Sequence, residues 1–146
     1  MAQWRGEPKI LDNAKKDITS FVRSVLKGNQ TKTPYDDIPF DRMVDFWYLA
    51  MCVGVKSNRR DSKGKMSDVL AMKDALTGNP EMLDMIEMIA IDETKDPYIV
   101  KDTHAMIQIA NEYAAGGTPV LLGILKDKGQ PVWNLHKYLK DILVEK

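Results

Sequence analysis

The stretch Phe46-Trp47-Tyr48-Leu49-Ala50-Met51-Cys52-Val53 is apolar without interruption and lies between Pro39 and Gly54. A helix over residues 40–54 has no polar face to offer solvent, so it should be buried all round and form the hub of a core, with Trp47, Leu49, Ala50, Met51 and Val53 inside. The run cannot cross a bilayer, which takes about 20 apolar residues. Fold class follows from what surrounds this hub.

Upstream, Leu11, Ala14, Ile18, Phe21, Val22 and Val25 recur at helical spacing and Gly28 can close the helix, which predicts a helix over 11–28. Residues 29–39 carry Pro34, Asp36, Asp37 and Pro39 and read as a loop. Residues 1–9 are polar, with Gly6 and Pro8, and read as a flexible lead-in to a single helical domain over 10–146. Downstream, Gly54 should end the hub helix, and a third helix should cover 66–77 with Val69, Met72 and Leu76 on one face. Asn79-Pro80-Glu81 combines an N-cap, a proline at N1 and an acid at the positive end of a helix dipole, so a fourth helix begins there and runs to about 91. Asp102 or Thr103 caps a fifth helix that should stop at Gly116-Gly117. Thr118-Pro119 then opens a sixth, and Val132, Leu135, Tyr138, Leu139, Ile142 and Leu143 mark a last one after Pro131. The expectation is an all-α domain of about six or seven short helices around a central one.

Composition narrows the function classes. The 146 residues are 44% hydrophobic and 29% charged, as in an ordinary globular chain. Lys plus Arg and Asp plus Glu each number 21, which excludes a histone-like polycation and leaves local patches as the only electrostatic footprint. A single cysteine, Cys52, excludes an intramolecular disulfide and a thiolate metal cage. Met1–Lys9 holds no apolar run of signal-peptide length, so the expected compartment is the cytoplasm and no membrane contact is expected. His104 and His136 are the only histidines, and Cys52 lies in the most apolar segment as an inert thiol. No His-Glu-x-x-His, Gly-x-Ser-x-Gly or P-loop pattern occurs. The expectation is a protein without catalytic residues, metal or cofactor.

Two charge features stand out. Residues 56–65 hold five cations and one anion, and Lys56, Arg59, Arg60, Lys63 and Lys65 form a candidate phosphate-binding loop whose Ser, Asn and Gly groups could add hydrogen bonds. A solvated connector after a helix C-terminus has the same composition. Residues 81–96 hold six acids and one lysine, and Glu81, Asp84 and Glu87, three apart, share a helix face. That stripe is a candidate protein-interaction face for a basic partner, or for the basic loop of a second copy in a homo-oligomer; a solvated face over a Met-rich core is the bland alternative. Ala110, Tyr113, Ala114, Ala115, Gly116 and Gly117 read as a close helix–helix crossing. Trp4 either covers the last helix or awaits a partner.

Phe46–Arg60, an apolar helix ending at Gly54 and then a double arginine, and Ile109-Ala-Asn-Glu-Tyr-Ala-Ala-Gly-Gly117, followed by a helix and then by an apolar C-terminal helix, together resemble the family of DNA phosphorothioation-associated protein four, small proteins encoded beside bacterial DNA phosphorothioation genes. The resemblance covers residues 38–145 and leaves 1–37 without a counterpart. It implies a cytoplasmic accessory component of a DNA-modification or phage-defence locus, with other proteins of that locus as partners. It brings no catalytic residues. The reading is therefore a non-enzymatic adaptor acting through protein contacts, the alternative being a small DNA-binding module that grips phosphates through loop 56–65.

Overall fold

A computed structural model of the chain describes residues 6–22, 38–68 and 72–144. They form β1 (Lys9–Leu11), α1 (Lys15–Thr19), α2 (Met43–Lys56), β2 (Met66–Asp68), α3 (Met72–Thr77), α4 (Pro80–Thr94), α5 (Thr103–Lys126) and α6 (Pro131–Val144), with 3-10 turns at Asp12–Ala14 and Pro97–Lys101. Among the described residues the fold is all-α apart from one antiparallel pair, β1 with β2, in which Ile10 faces Ser67, and an isolated parallel bridge between Val22 and Phe40.

The centre is the crossing of α2 and α5. Phe46, Trp47, Ala50 and Met51 of α2 are at most 1% exposed, and they pack in one core with Met106, Ala110, Leu121 and Leu125 of α5. Tyr48, Leu49 and Cys52 are only half-buried, so the hub helix is covered on most of its surface rather than all round. The close crossing expected from the small residues is present: a Cβ on Gly117 would stand 1.9 Å from the Ala50 carbonyl oxygen, and one on Gly54 2.0 Å from that of Tyr113. Gly54 therefore does not end α2. It lets α5 approach, and the helix continues to Lys56.

The same contact corrects the expected break at Gly116-Gly117. α5 is one continuous helix from Thr103 to Lys126, with both glycines and Pro119 in its interior. A proline there costs about 3 kcal/mol. Continuing past it buries Leu121, Leu122 and Leu125, each worth about 1.5–3 kcal/mol, so burial wins. Thr118 Oγ1, one residue before the proline, donates 2.7 Å back to the Ala114 carbonyl within the helix.

Two other expected helices are shortened. Residues 9–11 are extended, because Ile10 and Leu11 bury their side chains while pairing with β2. α1 then stops at Thr19, since Thr19 Oγ1 and Ser20 Oγ turn back onto the Lys16 and Asp17 carbonyls; Val25 and Gly28 lie outside the described residues. The third helix does not begin at residue 66 because Met66–Asp68 is β2; it is described over Met72–Thr77, and Val69 is also outside the described residues. The expected caps of α4 and α5 are formed: Asn79 accepts from Met82 N at 3.3 Å and Asp102 from Ala105 N at 3.0 Å. The end of the lead-in is fastened, with Pro8 buried and Lys9 N donating 2.7 Å to Asn111 Oδ1; Trp4 lies outside the described residues. Among the described residues no helix is long and apolar enough to cross a membrane.

Candidate functional site

The basic loop leaves α2 through Asn58, whose φ of 52° turns the chain back along α5. Arg59 N donates to the Gly54 carbonyl at 2.8 Å and Asp61 N to the Glu112 carbonyl at 2.9 Å. Gly116 makes room for this strap, since a Cβ there would stand 2.1 Å from the Arg59 carbonyl oxygen. Beyond it, Asp61 Oδ1 accepts from Lys63 N at 2.9 Å and Gly64 N at 3.0 Å, a turn built on the aspartate side chain. The loop is a held structure, and the backbone N–H groups of Ser57, Asn58 and Gly64, which its composition offered to a phosphate, already donate to the Val53 carbonyl, the Val55 carbonyl and Asp61.

Arg60, expected among the phosphate-binding residues, instead folds back onto acids of α4 and α5, with its side chain still 36% exposed. Its Nε donates to Glu112 Oε1 and a terminal nitrogen to Glu93 Oε1, both at 2.6 Å. The guanidinium also lies 5.9 Å from the Tyr113 ring centroid, and Tyr113 Oη donates to Glu93 Oε2 at 2.5 Å. Glu112 is 7% exposed, so its charge depends on Arg60 for compensation. The hydrogen bond from Tyr113, seconded by Arg60, holds the Glu93 carboxyl below its ordinary value despite some burial. Burial first, and Glu93 second, push the Tyr113 phenol up to about 12. This cluster joins loop, α4 and α5. The loop cations left pointing outward are Lys56, Arg59, Lys63 and Lys65, all exposed. Arg59 and Lys63 border a shallow cleft of about 410 Å³ closed by Gly116 and Pro119 of α5.

On α4, Glu81 and Asp84 are exposed and Glu87 half-exposed, while Met82, Ile86 and Ala90 face the core. Helical spacing places Met88 among them, seven residues from Glu81 and four from both Asp84 and Asp92, and it is 63% exposed. Glu93, from the same acidic run, is the residue turned to Arg60, so the acidic and basic segments meet inside one chain.

Sequence reasoning missed Asn111, Glu112 and Met88. Asn111 accepts from Lys9 N and, at 3.0 Å, from Trp47 Nε1, and donates to the Glu7 carbonyl at 2.9 Å, tying the N-terminal segment to both central helices. The signal for the first two was an Asn-Glu pair inside an otherwise apolar helix. Cys52 is half-buried, and burial raises its thiol above the ordinary range. Among the described residues no group of three or more His, Cys, Asp or Glu could hold a metal ion.

No curated protein and no solved structure matches the chain. A family model does, that of DNA sulphur modification system-associated protein 4, over residues 14–143. The match reaches well into the N-terminal region that the resemblance left without a counterpart. It covers α1, the α2–α5 crossing, the strapped loop and nearly all of α6 together, and the chain belongs to the family of DNA sulphur modification system-associated protein 4.

Proposed function

We propose that this accessory protein of a DNA sulphur modification system is a non-enzymatic, cytoplasmic adaptor that binds another protein of its locus through the outer face of α4. The observation that carries the reading is Met88, 63% exposed on a face that also holds Glu81, Asp84 and Asp92. An apolar side chain ringed by acids has the make-up of an interface centre with a charged rim, and it fits a partner presenting apolar and basic side chains. The interior polar groups agree with a scaffold role: Asn111 bonds Trp47 and the Glu7 carbonyl, and Glu112 bonds Arg60. The test is co-purification from the native host with Glu81, Asp84 and Glu87 all changed to Lys, or with Met88→Asp alone. Loss of one locus protein at an unchanged melting temperature is the expected result. Capture identical to wild type by both variants removes α4 from the interface.

A second reading, DNA contact through the strapped loop, is favoured by Lys56, Arg59, Lys63 and Lys65 projecting from a backbone that the fold holds in place. Such binding goes through phosphates, is sequence-tolerant, and weakens with salt by a slope of about −0.9 per phosphate neutralised.

A further inference from the structure

The inner face of α6 is spent on the core: Leu135 is buried, and Val132 and Leu139 are half-buried. Its outer face carries Trp133, His136, Lys137 and Lys140, at positions i, i+3, i+4 and i+7, all four exposed. Trp133 is 58% exposed, so packing does not account for it. His136 meets it edge-on, with ring centroids 6.2 Å apart and planes at 78°. Neither Lys137 nor Lys140 forms an ion pair with another described residue.

Beside this face lies a cleft of about 640 Å³ between the ends of α2 and α5 and the flank of α6, into which Lys56, Lys128 and Lys137 are set. Its two acids are Asp127 and Asp141. Asp127 is partly spent on the turn before α6: Oδ1 accepts from Lys128 N at 2.8 Å, and its carbonyl accepts from Asn134 Nδ2 at 3.1 Å. Face and cleft together hold four lysines, Lys56, Lys128, Lys137 and Lys140, against these two aspartates.

We propose that the outer face of α6 and the adjoining cleft bind single-stranded DNA, with a base stacked on Trp133 and neighbouring phosphates on Lys137, Lys140 and Lys128. An aromatic platform interleaved with lysines is what an unpaired strand requires: every base has a π-face, and the backbone brings the anions. A duplex keeps its bases stacked inside, so it can use the lysines and not the indole. DNA is the strand chosen because the family is defined by a DNA sulphur modification system. The inference stands apart from the α4 interface and from the strapped loop, with which it shares only Lys56.

The test is fluorescence anisotropy of the full chain with labelled oligodeoxythymidylate of about 20 nucleotides, and with a duplex of equal length, at about 50 mM salt. Saturable binding of the single strand, tighter than of the duplex, is expected. Trp133→Ala should weaken single-strand binding about tenfold and leave duplex binding unchanged, while Trp133→Phe should restore most of the loss. Lys137→Ala with Lys140→Ala should flatten the salt dependence by up to about 2 in slope. Thermal melting of each variant checks that the fold is intact, as expected for exposed positions. No saturable single-strand binding, equal affinity for duplex, tighter binding of oligouridylate, or indifference to Trp133→Ala overturns the proposal. So does loss of a protein partner in Trp133→Ala without any DNA binding by the wild type.

Discussion

Replacing Gly117 by Ala adds one methyl group to the seam between α2 and α5. Its Cβ would lie 1.9 Å from the Ala50 carbonyl oxygen and 2.6 Å from Gly54 N, whereas ordinary contact starts at 3.4 Å. Both neighbours are backbone, so no rotamer change relieves the clash, and the two helices must part by about 1.5 Å. The opening spreads along the crossing and loosens Phe46, Trp47 and Met51, which are at most 1% exposed. Overpacking of this kind costs about 1–3 kcal/mol and more where the backbone must shift, and the helix-propensity gain of Ala over Gly returns about 1 kcal/mol. Because both clashing neighbours are backbone, the cost lies at or above the top of that range, and the expected net loss is about 2 kcal/mol or more, a fall in melting temperature of about 6 °C or more for a chain of this size. Gly123→Ala is the internal control. It lies in the same helix, is exposed, and would meet nothing within 4 Å. Only the propensity term then acts, and stability should rise by about 0.5–1 kcal/mol. Thermal and urea unfolding of both variants, with circular dichroism confirming helix content, measures the difference. If Gly117→Ala matches or exceeds wild type as Gly123→Ala does, the close-crossing argument is refuted.

Trp47→Ala should cost about 3–5 kcal/mol as a buried aromatic, and Trp47→Phe about 1–2 kcal/mol for the hydrogen bond withdrawn from Asn111; denaturant unfolding separates the two. Glu93→Gln should lower stability at neutral pH. Because folding depresses the Glu93 pKa, its contribution is present above the ordinary glutamate value of about 4.3 and is lost as pH falls through the folded value, so variant and wild type should converge in acid. Arg59→Ala should shallow the salt slope of any duplex binding by about 1, read from titrations at several salt concentrations. Arg60→Ala should instead lower the melting temperature, because it strands the buried Glu112 carboxylate.

The helical class, the apolar hub and the caps at Asn79 and Asp102 were legible in the sequence, because they rest on local signals: an unbroken apolar run, and side chains that bond backbone two or three residues away. The charge layout was legible too, being composition read along the chain. What local signals could not supply was the meaning of Gly116, Gly117 and Gly54. A glycine that ends a helix and a glycine that admits a second helix are the same residue in sequence, and only the carbonyls of Ala50, Arg59 and Tyr113 across the gap distinguish them. The division of labour within the basic loop was equally hidden. Arg60 folds back onto α4 and α5 because Glu93 and Glu112, 33 and 52 residues away in the chain, stand within 2.6 Å of it, while Arg59 beside it points outward. Pairing of Lys9–Leu11 with Met66–Asp68 likewise overrode a helical spacing, since a two-strand contact is decided by what lies opposite. Periodicity and capping act within about four residues along a chain, whereas close approach, ion pairing and strand pairing act between segments that only the folded structure brings together.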